Sequence, residues 1–232
     1  MTDPLNIKSP WPSYQWPTGK QSATLLSVDV DAQVPFMWAH RDGLPDRLAT
    51  LEIRNFGPRT GLYRLIDLFK RYNVKASFYV PGLTAETNPE ILPALIEAGH
   101  EVGLHGYFHE IVGDVSDAEF SGALEASIDL FIKQTGVKPV GFRSPAWEIT
   151  PHMLHEIKRV GLAYDSHSLA LIIPTKSIAS QKFRFNGPRM MPFSSSLKVG
   201  GVTSGLSNPG RRFCRTGFLN GACCTALAAC SH

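Results

Sequence analysis

Apolar positions recur along the chain in two alternating rhythms. Ala23 to Val30 is a continuous apolar and β-branched run that reads as a buried strand. Leu62, Leu65, Ile66 and Phe69 then fall on one face of a helix over 61–70. Lys75 to Val80 repeats the strand signal and stops at Pro81-Gly82. Asn88 followed by Pro89 opens a helix that carries Ile91, Leu92, Leu95 and Ile96 as far as Gly99. His100 to Leu104 is the third strand. Ser116 and Glu119 form a capping box ahead of a stripe at Phe120, Leu124, Ile128 and Phe131, which ends near Gly136. Pro139 to Phe142 is the fourth strand, Thr150-Pro151 opens a helix closed by Gly161, and Leu162 to Tyr164 is the fifth strand.

Strands alternating with helices imply parallel pairing and right-handed crossovers, hence an α/β fold. A partial or complete barrel is favoured over an open doubly wound sheet. The alternation then fails. From about Phe183 no amphipathic period of useful length remains, the stretch SSSLKVGGVTSGLSNPG reads as loop, and LALII at 169–173 is the last strand candidate. We expect an N-terminal arm over 1–20, a catalytic domain over 21–171 and an irregular tail over 172–232.

Charge sharpens that division. All 20 acidic residues lie at or before Asp165, while the chain from Ser166 onward has 8 Lys and Arg and no acid. The four cysteines (Cys214, Cys223, Cys224 and Cys230) crowd the same end at spacings that match no common zinc pattern, so they read as reduced thiols. A substituted end, such as a shifted reading frame, would explain this composition. The tail cations lack an ordered scaffold and the preceding part is acidic, which argues against nucleic acid as a partner. At 232 residues and 43% hydrophobic content the chain can bury a substantial core. No apolar run approaches the roughly 18 residues of a membrane span, and 1–20 lacks the apolar core of a secretory signal. A soluble, cytoplasmic protein with no membrane partner is expected.

Ionisable residues sit at successive strand ends: Asp29 and Asp31 after the first, His105 after the third, Arg143 after the fourth, Asp165 after the fifth. In α/β folds the carboxyl ends of the strands form the active face. His105 and His109 are four apart and share one side if the segment turns helically. One carboxylate with two imidazoles leaves coordination positions open, a catalytic rather than a structural arrangement.

SVDVDA, HGYFH, FRSPAW and LAYDS, in this order, resemble the successive motifs of the polysaccharide deacetylase (NodB-homology) family. WPTGK and FGPRTG resemble its branch of peptidoglycan-deacetylase-like and allantoinase-like proteins. The resemblance covers roughly 16–169. It implies a deformed (β/α) barrel, incomplete at its C-terminal side, and one divalent metal ion, zinc by its donor set, held by Asp31, His105 and His109. It also implies Asp29 as general base and Arg143 as the residue that orients it and keeps it ionised. Pro145, Trp147 and Tyr107 would border the substrate. Asp165 matches an acidic position that supports a late catalytic histidine. That histidine is missing from its usual context, with His167 a weak substitute.

The expected activity is hydrolysis of a non-peptide carbon–nitrogen bond, in an N-acetylated carbohydrate or in a small ureide or imide ring. The competing expectation is a remnant that keeps its metal pocket without turnover.

Overall fold

The structure, a computed structural model, describes residues 22–43 and 47–166 together with the strands at 215–219 and 222–230. Its parallel strands are β1 (Ser22–Asp29), β2 (Ser77–Val80), β3 (Glu101–Leu104), β4 (Gly141–Phe142) and β5 (Tyr164–Asp165). Each pairs in parallel with the next, without the reversal of order that a doubly wound sheet would show. The result is one side of a (β/α) barrel, the architecture expected from the sequence. Helices α1 (Val34–Ala39), α2 (Leu48–Phe56), α3 (Leu62–Arg71), α4 (Gly82–Thr87), α5 (Ile91–Glu97), α6 (Asp117–Thr135) and α7 (Pro151–Arg159) occupy the connections.

Alternation along the strands separates two environments. Val28, Val30, Phe78, Val80, Val102, Leu104 and Phe142 join the helices in one core, against Leu62, Ile91, Leu92, Leu95, Phe120, Leu124, Phe131, Met153 and Ile157. The residues between them in sequence are different in kind: Ser27, Asp29, Ser77, Tyr79, Glu101, Gly103, Gly141 and Tyr164, paired across neighbouring strands as Ser27 with Ser77, Asp29 with Tyr79, Tyr79 with Gly103, and Gly141 with Tyr164. Ser77 Oγ donates to Glu101 at 2.8 Å, Tyr164 donates to the same carboxylate, and the Tyr79 and Tyr164 hydroxyls lie 3.1 Å apart. Asp29, at the end of β1, belongs to this polar inner face.

Several elements differ from the sequence reading. The long connection after β1 holds α1 and α2, and Gly57–Gly61 is a π-helical turn that runs α2 into α3. Pro81-Gly82 ends β2 as expected and opens α4 directly, a helix the sequence reading did not include. Asn88 does not cap α5, whose N-cap is Glu90; its amide donates back to Thr84 O at 2.9 Å. The capping box of α6 is complete, its C-terminal Gly136 takes the left-handed conformation at φ 72°, and Thr150 caps α7 by accepting from the Met153 N–H.

The irregular tail is corrected in part. β6 (Arg215–Leu219) and β7 (Ala222–Cys230) pair antiparallel, and β7 adds antiparallel to β1 along Ser22–Asp29. The full order is β5-β4-β3-β2-β1-β7-β6. β7 escaped the reading because Ala, Cys and Thr give no contrast between faces. The sequence between the two strands is Asn220-Gly221, the strongest short hairpin signal. His167 and the LALII stretch lie outside the described residues.

Candidate metal centre

The strand ends deliver their side chains to one place. Asp29 is the last residue of β1 and is buried. Two residues on, Asp31 starts a turn in which Ala32 is left-handed at φ 53°. The Asp31 carbonyl accepts from the Val34 N–H at 3.1 Å and from Thr84 Oγ1 at 3.1 Å, which fixes the turn to α1 and α4. His105 follows β3. Ligand atoms of Asp31, His105 and His109 all lie within 4.8 Å of one another.

The two imidazoles do not share a helical turn, as the spacing suggested. Residues 105–109 form a loop with left-handed Gly106 (φ 69°) and His109 (φ 56°), and the rings meet edge to face at 4.9 Å. His105 Nδ1 donates to the Arg143 carbonyl at 2.7 Å, because a carbonyl can only accept. That bond fixes the tautomer and leaves Nε2 bare, 3.4 Å from Asp31 Oδ1. Burial lowers His105 to about 4 and, with the neighbouring His105 ring, lowers His109 to about 3. Both rings are therefore neutral at pH 7, the form that binds a cation.

Asp31 Oδ1 is buried and accepts no hydrogen bond among the described residues. Burial, with the Asp29 carboxylate adding to it, pushes Asp31 up to about 8. A buried carboxylate oxygen without a donor, facing two neutral imidazoles, is an arrangement that a divalent cation satisfies and that hydrogen bonds do not. The residues present fit such an ion.

Arg143 is fully engaged. Nη1 donates to Asp29 Oδ1 at 2.5 Å, Nη2 to Ser27 Oγ at 2.9 Å and Nε to Ser166 Oγ at 2.8 Å, and its guanidinium lies 4.0 Å above the Tyr79 ring. The sequence pointed to the Arg143–Asp29 pairing but not to the two serines. Burial raises the Asp29 carboxyl while Arg143 pulls it back, and burial is the larger effect. The expectation that Arg143 simply holds Asp29 ionised therefore omitted the opposing cost of desolvation.

Asp165 ends β5, half-buried and in register with Phe142. Pro145 is buried, and Trp147 is half-buried at the end of a tight turn in which Ala146 and Trp147 are both left-handed. Tyr107 packs over Gly82 and donates to Glu86 at 3.0 Å. Phe108, in contrast, is 49% exposed and lines a groove of about 320 Å³ with Met37, Trp38, His40 and Arg41. The sequence reading missed two further groups. Arg54 on α2 has a buried Nε without a partner among the described residues and acts electrostatically on Asp31, and Glu110 is a buried acid directly after His109. Placement of Glu110 beside a histidine in sequence was the only available signal.

Residues 55–164 match the family model for polysaccharide deacetylase. A peptidoglycan deacetylase of Helicobacter pylori is 32% identical over 150 residues, 65% of this chain and 50% of its own length. A peptidoglycan deacetylase-like protein of Gibberella zeae is 33% identical over 147 residues, 61% of this chain and 42% of its own. The chain thus spans half or less of the length of these curated relatives. A solved Mycobacterium smegmatis protein, described as a candidate polysaccharide deacetylase, superposes with a TM-score of 0.61 at 34% identity, covering 68% of this chain and 55% of that one.

Proposed function

We propose that this chain, which carries a polysaccharide deacetylase domain, hydrolyses the amide of an N-acetylated carbohydrate with the aid of one divalent cation. The observation that carries the reading is Asp31 Oδ1, buried with no hydrogen-bond donor among the described residues and 3.4 Å from the bare nitrogen of His105. Asp31, His105 and His109 would hold the cation, and nitrogen with carboxylate ligands suits zinc. When bound, the ion supplies Lewis-acid polarisation of the amide carbonyl and lowers the pKa of the attacking water.

The rest belongs to the chain itself. Asp29 takes the proton from the attacking water. Its raised pKa moves it toward the range in which a base works best near neutrality, and Arg143 fixes the carboxylate by one of its oxygens. The His105 tautomer is set by the Arg143 carbonyl, so one residue aligns both base and ligand. The open groove beside Phe108 offers an aromatic wall to a sugar ring, which supports a carbohydrate over a small ureide. His167, the substitute for the missing late acid, lies outside the described residues.

The test is acetate release from N-acetylglucosamine oligomers and peptidoglycan fragments by zinc-loaded protein, with metal content measured in parallel. Release that disappears when His105 and His109 are replaced by alanine supports the reading. Full metal content with no acetate from any substrate would overturn it in favour of a pocket that binds without turnover.

A further inference from the structure

The His105–His109 loop brings two imidazoles together without a helix, and the residue after it holds the shape. Glu110 is 3% exposed. Among the described residues no cationic side chain pairs with it; its oxygens accept from the backbone instead, from Tyr107 N at 3.1 and 3.0 Å and from Phe108 N at 2.7 Å. The approach is close because Gly106 allows it. A Cβ at Gly106 would sit 2.9 Å from both carboxylate oxygens, and its φ of 69° is itself one that side chains rarely adopt. On the other side, Gly82 N and Leu83 N at the start of α4 donate to the carbonyls of Gly106 (2.9 Å) and Tyr107 (2.8 Å). The loop backbone is thus clamped between α4 and a buried carboxylate.

We propose that Glu110 is a positioning residue, setting the spacing and orientation of the His105 and His109 imidazoles through the loop backbone. This inference rests on the metal reading above. A role in filling space alone is chemically distinct from it. A side chain of equal volume without acceptors would take from the Tyr107 and Phe108 N–H groups the acceptor they share, and a glutamine would offer one acceptor oxygen where two are used.

The experiment titrates cobalt(II) into metal-free protein and follows its visible absorption, for wild type, Glu110→Gln, Gly106→Ala and Ile157→Ala. Ile157, fully buried on α7, serves as a core-cavity control for general destabilisation. Glu110→Gln should weaken cobalt binding by about 10- to 100-fold, the usual effect of losing a partner behind a ligand, and shift the absorption band. Gly106→Ala, which keeps the carboxylate but pushes a methyl into it, should move both readouts the same way and stands in for Glu110→Gln should that variant fail to fold. Ile157→Ala should melt earlier while retaining the wild-type band and affinity. Wild-type cobalt affinity and spectrum in Glu110→Gln, or in Gly106→Ala if that is the folded variant, would overturn the inference and leave the ligands standing. Wild-type protein that takes up no cobalt would overturn both readings.

Discussion

Nδ1 of His105 lies 2.7 Å from the backbone carbonyl of Arg143, the residue whose side chain grips Asp29 at 2.5 Å. One residue just past β4 therefore registers Asp29, at the end of β1, against His105, just past β3. Neither contact is local, since 38 and 114 residues separate the partners.

Removing that residue should damage fold and site together. Arg143→Ala leaves Asp29 buried without its counter-charge, and breaking a buried pair in this way costs about 3–5 kcal/mol. Arg143→Lys keeps the charge but not the fork that reaches Ser27, Asp29 and Ser166 at once, so it should stay folded with little activity. Urea unfolding of both variants, with acetate release, checks this. An Arg143→Lys protein of full activity would contradict it.

Asp29 and Asp31 should separate cleanly. Asp29→Asn should keep the cation and lose about 10²–10⁴ in rate, the usual contribution of a general base. Asp31→Asn should lose the cation. Metal analysis of the two proteins side by side decides, and the reverse pattern would exchange their roles.

Gly103→Ala should be destabilising by about 1–3 kcal/mol, the usual effect of overpacking. A methyl there would lie 2.7 Å from the Tyr79 ring, which in turn carries the Arg143 guanidinium. Thermal melts measure the cost. An unchanged melting temperature would mean that Tyr79 moves freely, and Arg143 with it.

Acid stability offers a probe away from the site. Arg159 donates to both Glu156 oxygens at 2.9 Å and lowers Glu156 from its ordinary value to about 2. A folded-state pKa below the unfolded one means that this stabilisation is whole above about pH 4.5 and fades as pH falls towards 2. Glu156→Gln should therefore be less stable near neutrality and should flatten the stability profile between those limits. Denaturant midpoints at a series of pH values measure it, and parallel profiles would rule the pair out.

The strand ends could be read because chemistry at the carboxyl ends of parallel strands follows from the fold class alone, and Ser116 and Gly136 announce the limits of α6 by local rules. The inner face could not be read. Tyr164 meets Glu101 and Tyr79 across 63 and 85 residues, and nothing in YDS or SFYV states that partnership. Beyond its place next to His109, Glu110 gave no sign of its role, because its partners are backbone N–H groups that every residue but proline carries. The HGYFH spacing pointed to the pairing of His105 with His109 while suggesting the wrong backbone, since four residues close a helical turn and a left-handed loop equally well. β7 was missed for the opposite reason, its small residues showing no contrast between faces.

Arg143 also serves as a ruler for curvature. In a flat sheet, neighbouring strands about 4.8 Å apart would set β4 and β1 roughly 14 Å apart, beyond the reach of one guanidinium. Yet this side chain touches Ser27 and Asp29 on β1 and Ser166 just past β5. The sheet must curl until its flanks come within an arm's length, and the guanidinium works as a drawstring across the mouth of that curl. The width of that mouth is then set by one ion pair as much as by the strands, so losing the hydroxyl of Ser27 or Ser166, each bonded to the same guanidinium, should slacken the string and widen it.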